Sequence, residues 1–268
     1  MKSPLLVLAT LAATGLLSAH ECWLQPATFA PVVGPTIGLT IQVGEHFQGE
    51  PKPFNPDRIA TLKHFSAAGT EDWTAKANNL LQLPVRFEDA GTHVITYDSK
   101  PSLITLQPAE FDAYLREEGL EFVIAERARA GESAKPGRER YQRCNKTIVR
   151  ADGKSDATYG VVTGQRLEII PVDDPAAWQA DGPMRFKLLF SGQPLAAAKV
   201  RAWHRAGDKL TTLDATTDAN GEASFTLPVA GQWMFSTIHM ARLTGDAAAD
   251  WESTWGNLTL AVRRPART

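Results

Sequence analysis

The chain has only two cysteines, Cys22 and Cys144, among its 268 residues. That scarcity excludes a disulfide-dense scaffold and a multi-cysteine zinc domain. Neither sign of charge dominates, with 28 Lys and Arg against 30 Asp and Glu. No nucleic-acid partner is therefore expected, because such a partner needs a strongly basic face. After residues 5–17 no apolar run reaches spanning length, so no membrane span is expected in the mature chain. Gly-x-Ser-x-Gly, a phosphate-cradling glycine loop and a dinucleotide fingerprint are all missing, and no enzyme is expected. Histidine is also scarce, at six residues, so the position of each one is informative.

The N-terminus carries the strongest signal that is present. Lys2 supplies a positive start, Leu5 to Leu17 an apolar stretch of export length, and Leu17-Ser18-Ala19 a small-residue cleavage site. The expectation is a signal peptide over 1–19 and a periplasmic product. Losing Lys2 lowers the basic count from 28 to 27 and leaves a formal charge of −3. His20 then becomes the first residue. A free α-amine together with Nδ1 of the same histidine closes a six-membered chelate on Ni²⁺, Cu²⁺ or Zn²⁺. Neither group is costly to deprotonate near neutral pH. In an exported chain Cys22 and Cys144 are expected to pair as one disulfide, with two thiolate metal ligands as the alternative. Such a bridge would pin His20 to the body of the protein.

Period-two alternation dominates the remaining sequence. Ile37, Leu39, Ile41 and Val43 read as a half-buried strand ending at Gly44-Glu45-His46-Phe47. Further strands are expected at 59–65, 80–87, 92–97, 144–149 and 161–172. Residues 131–140 read as a polar loop. Pro108-Ala109-Glu110-Phe111 opens a helix, with Phe111, Tyr114 and Leu115 on one face, and 120–129 suits a second. After Met184 the pattern is wholly β. Short strands separated by Gly turns indicate sandwiches. The expected fold is mainly β: two β-sandwich domains, Ig-like or transthyretin-like, with a short helical insertion near 108–130 in the first. The domains are expected at 20–155 and 156–268.

Several runs resemble a bacterial periplasmic family of unknown function that is often labelled a nickel- or cobalt-uptake component. They include His20-Glu21-Cys22-Trp23-Leu24, Val43-Gly44-Glu45-His46-Phe47, Phe111 to Leu120, Arg138-Glu139-Arg140-Tyr141 and Leu167-Glu168-Ile169-Ile170-Pro171. Ser191-Gly192-Gln193-Pro194-Leu195, Thr217-Asp218-Ala219-Asn220-Gly221 and Asp250-Trp251-Glu252-Ser253-Thr254-Trp255 continue the match in the same order. The C-terminal half also looks like a transthyretin-like or carboxypeptidase-regulatory sandwich, in which a Thr-Asp-x-x-Gly turn precedes a strand. The resemblance implies metal handling, with an inner-membrane metal transporter as partner.

A metal site at His20 needs further ligands. The candidates are His46, at a strand end beside Glu45, and His239, on an apolar strand. Glu252 is expected as an outer partner that orients an imidazole. His64 and His204, each beside a basic residue, are set aside as solvated. A nitrogen-rich site favours copper on affinity, whereas the family label favours nickel or cobalt. Two other readings stand beside the binder. One is an N-terminal-histidine copper enzyme that activates O₂. The other is a structural or carbohydrate-binding envelope module, in which some of the seven tryptophans form a sugar platform. Strand patterning instead suggests that Trp203, Trp233 and Trp255 pack in the core.

Overall fold

Alternating apolar side chains give each strand one face to bury, and the order of elements follows from that need. The computed structural model describes residues 21–263. The first part of the chain supplies β1 (Glu21–Pro26), β2 (Thr36–Glu45), β3 (Gln48–Lys52), β4 (Ile59–Ser66), β5 (Gly69–Asp72), β6 (Leu83–Arg86) and β7 (Gly91–Ser99). The middle supplies β8 (Ser102–Leu106), the helices α1 (Pro108–Glu117) and α2 (Glu121–Arg129), and the long β9 (Gly137–Ala151). The remainder is β10 (Leu167–Pro171), β11 (Pro183–Phe190), β12 (Gln193–Pro194), β13 (Lys199–Ala206), β14 (Lys209–Thr216), β15 (Glu222–Thr226), β16 (Gly231–Arg242) and β17 (Trp251–Val262).

Among the described residues the strands form three sheets. The largest has nine strands in the order β14-β13-β16-β17-β9-β7-β4-β5, with β8 also on β9. One small sheet is β1-β2-β3 with β6 on β2, and the other is β10-β11-β12 with β15 on β11. The small sheets cover opposite faces of the large one. Leu24, Leu39, Ile41, Leu83 and Val85 meet Ile95, Tyr97 and Val149 on one face. Ile169, Phe186, Leu188 and Phe225 meet Val94, Ile148, Phe235 and Leu258 on the other. The protein is thus mainly β and sandwich-like. β17, from the C-terminal half, lies parallel to β9, from the N-terminal half, from Trp251↔Glu139 to Thr259↔Thr147. One sheet therefore runs across the expected boundary at 155–156.

The helices sit beside the β1 sheet, on the same face of the large sheet. Phe111, Tyr114 and Leu115 of α1 pack with Met240, Trp251 and Trp255. The Gln107 backbone N–H donates to Glu110 Oε2 at 3.0 Å, fixing the first turn. Gly137 permits the close fit, since a Cβ there would lie 2.2 Å from the Phe111 ring. β9 begins at Gly137, seven residues before the expected strand, and replaces much of the expected loop. Its charged start is extended because Arg138 pairs with Asp250 at 2.6 Å and Arg140 pairs with Asp246. Conversely, the strand expected over 161–172 is paired only at Leu167–Pro171. Thr163 and Gly164 instead donate backbone N–H groups to Glu168.

Candidate functional site

A buried polar region lies where β1 begins, on the face of the large sheet that also carries α1. Glu21 is the first residue of β1 and pairs with Gly44 of β2. Its carboxylate is buried and accepts from Asn257 Nδ2 at 3.5 Å. Burial pushes the Glu21 carboxyl above its usual range, against opposing hydrogen bonds from Ser236 and Asn257 and the charges of Arg143 and Arg201. Glu118, just past the end of α1, is driven up to about 8, first by burial and then by the charge of Glu21. Two carboxyls and two guanidiniums therefore interact around the buried Glu21. Trp203 closes it, donating its indole N–H to Ser236 Oγ at 3.2 Å.

The β2–β3 turn overhangs this corner. His46 and Phe47 both adopt the left-handed conformation, with φ of 53° and 57°. Gly44 allows the chain to fold back, because a Cβ there would lie 2.1 Å from the Gln48 carbonyl oxygen. The His46 ring lies 5.5 Å from Trp203, and its carbonyl accepts from Arg205 Nε at 3.0 Å. A cleft of about 660 Å³ opens beside the turn, lined by Glu45, His46, Glu50, Lys52 and Arg205 among others.

The structure separates most of the residues that the sequence grouped. His20 lies outside the described residues. His46 stands beside Trp203 and thus on the β1 side of the large sheet. His239 lies on the opposite side, with its ring 4.0 Å from Phe190, since Ser236 and His239 differ in parity along β16. One ion cannot bridge them. Among the described residues Glu252 contacts no imidazole: it is ion-paired with Arg166, which also lies over the Phe190 ring. Cys22 and Cys144 are both free and buried, so the expected disulfide is absent. Asn145 donates to Cys22 Sγ at 3.1 Å, which places its side chain on the β1 side. Cys144, the preceding residue, points the other way and hydrogen-bonds with Asp98. A nine-stranded sheet stands between the thiols.

Two histidines set aside as solvated are in fact buried. His204 stacks 5.0 Å from Trp233. His64 is 5% exposed and stacks on Trp73 and on His93, which is itself buried. The signal for this was the alternation of β4, which puts His64 on the same face as Leu62. All seven tryptophans, including Trp203, Trp233 and Trp255, are buried. Among the described residues no three His, Cys, Asp or Glu side chains converge as a metal cluster.

The fold and this corner define a mainly β, layered protein with a buried polar centre at its first strand. A family model described as "Domain of unknown function (DUF4198)" matches residues 17–241, and the chain belongs to that family. No curated protein matches the chain. Among solved structures, the chain is similar at 12% identity to a tetra-tandem repeat in the extending region of a large adhesion protein. That match has a TM-score of 0.20 and covers 90% of this chain and 49% of the other. Three N-terminal domains of the bacteriophage RB49 Highly Immunogenic Outer Capsid protein match at 16% identity and a TM-score of 0.20. Here 90% of this chain and 59% of the other are covered. The chain thus spans about half the length of the structures it matches.

Proposed function

We propose that the chain is an exported binder of a divalent transition metal, with nickel, cobalt or copper held by the α-amine and imidazole of His20 and by His46. The observation that carries this reading is the register of β1. Glu21 pairs with Gly44, one residue before Glu45 and two before His46. His20 directly precedes Glu21 in the sequence. A buried carboxylate at Glu21 anchors the start of β1. His46 sits at a turn over an open cleft, where an incoming ion meets little obstruction.

His239 and Glu252 leave the ligand set, because the sheet and Arg166 keep them away. The nickel or cobalt label of the resembling family supports those metals and a transporter partner, while the order of affinities supports copper. The sugar-binding alternative loses its main support, since no tryptophan is exposed for stacking. Titration calorimetry of the mature protein with Cu²⁺ and Ni²⁺ tests the assignment. His46→Gln is expected to weaken binding about tenfold or more, with the melting temperature of the metal-free protein unchanged. Unaltered affinity in His46→Gln would remove His46 from the site.

A further inference from the structure

A second cluster, about His64, lies on the β4–β7 part of the sheet and owes nothing to the N-terminus. Its hydrogen bonds form one chain. His93 Nε2 lies 2.9 Å from the Asp89 carbonyl oxygen, and His64 Nε2 lies 2.8 Å from His93 Nδ1. His64 Nδ1 lies 3.3 Å from Glu71 Oε1, and Glu71 Oε2 accepts the Trp73 indole N–H at 2.9 Å.

Counting protons along this chain fixes the tautomers. A carbonyl only accepts, so His93 donates from Nε2 and its Nδ1 accepts. His64 therefore donates from Nε2, and its own Nδ1 is left as a bare lone pair. That lone pair faces a carboxylate, which also only accepts. Two neutral imidazoles supply two N–H groups for three links, and the unfilled one is the longest, at 3.3 Å. The His64 lone pair and a Glu71 carboxylate oxygen thus face each other at 3.3 Å.

We infer that this gap is a divalent-cation site, with His64 Nδ1 and Glu71 Oε1 as its two protein ligands and water completing the shell. The spacing suits one ion: tetrahedral bonds of the usual Zn–N and Zn–O lengths put their two ligand atoms about 3.4 Å apart. The supporting contacts are those a ligating pair needs. His93 and the Asp89 carbonyl hold the His64 ring in the ligating tautomer, and the Trp73 N–H holds the carboxylate. Glu71 is largely solvent-exposed, which leaves the remaining positions open to water. A proton competes weakly for the gap, since burial and then His93 push His64 down to about 4. Glu71 stays ionised, chiefly through the Trp73 hydrogen bond. Of the other charges around the pair, Lys76 lies over the Trp73 ring and opposes a cation. Asp156 interacts electrostatically with His93. With two protein ligands and a nearby lysine, the site is expected to be weak and saturable.

The test is a ZnCl₂ titration of the mature protein carrying one extra residue before His20, which disables the N-terminal chelate. Nitrogen resonances of His64 are followed by NMR. The expected result is a saturable shift at His64 Nδ1 that leaves His46 unperturbed, with affinity at least tenfold lower in Glu71→Gln. That exposed substitution keeps the acceptor for Trp73 and supplies an N–H to His64, so the fold is retained. His93→Phe, which frees the His64 tautomer, is expected to weaken binding similarly. No shift at His64, or equal affinity in Glu71→Gln, overturns the proposal. A signal that responds to acid but not to zinc identifies a proton-only site and also overturns it.

Discussion

At the scale of single residues, environment rather than residue type sets the chemistry. His64 is buried and Glu118 half-buried, and the two titratable groups pull stability in opposite directions with pH. His64 has its folded pKa lowered to about 4. Below 6.5 the unfolded chain binds the proton more readily, so stability falls as the pH drops from 6.5 towards 4, by roughly 3 kcal/mol at most. Glu118 is raised to about 8. Here the folded state holds the proton more tightly, so stability is present below about 4.5 and is lost as the pH rises towards 8. The limiting slope is about 1.4 kcal/mol per pH unit. Urea denaturation is thus expected to show greatest stability near pH 5.5, where the two slopes cancel. Glu118→Gln should flatten the alkaline loss, and a slope identical to wild type would contradict this assignment. The sequence could not reveal these shifts, because a Lys63 neighbour makes His64 look solvated when strand parity turns it inward.

Elements were more legible than their edges. Apolar alternation located β2, β4 and β7, and the Pro108 start located α1, since these signals are local. The early start of β9 was hidden because its first residues are charged and are stabilised by Asp246 and Asp250, more than a hundred residues away. The attachment of β10 was equally invisible. Lys146 of β9 and Glu168 of β10 form a fully buried pair at 2.6 Å, with the Thr163 N–H and hydroxyl also on the carboxylate. Removing one partner strands a charge in the core. Glu168→Gln is expected to cost about 3–5 kcal/mol in chemical denaturation. Adding Lys146→Met should restore much of the loss, because no buried charge is then left unpaired. Equal destabilisation by the single and double variants would show that the pair's charge is not what matters. At the α1–β9 contact, Gly137→Ala is expected to cost about 1–3 kcal/mol by overpacking against Phe111.

For the whole molecule, the shared sheet matters more than the halves. Period-two patterning announced sandwiches but could not say that β17 returns to lie parallel to β9. That pairing joins residues over a hundred positions apart, and no local pattern encodes it. Because the halves share strands and both faces of one sheet, calorimetry is expected to give a single unfolding transition. Two resolved transitions would mean that the halves fold separately. The same architecture accounts for the fate of the sequence-derived site. A sheet wall divides His46 from His239 and Cys22 from Cys144, which leaves His46 as the described histidine in the proposed His20 site. That reading depends on the free amine of His20. The most direct measurement is therefore Cu²⁺ affinity for the mature protein beginning at His20, compared with the same protein bearing one glycine before it. Extension is expected to weaken Cu²⁺ binding at least tenfold; equal affinities would remove the His20 amine from the site.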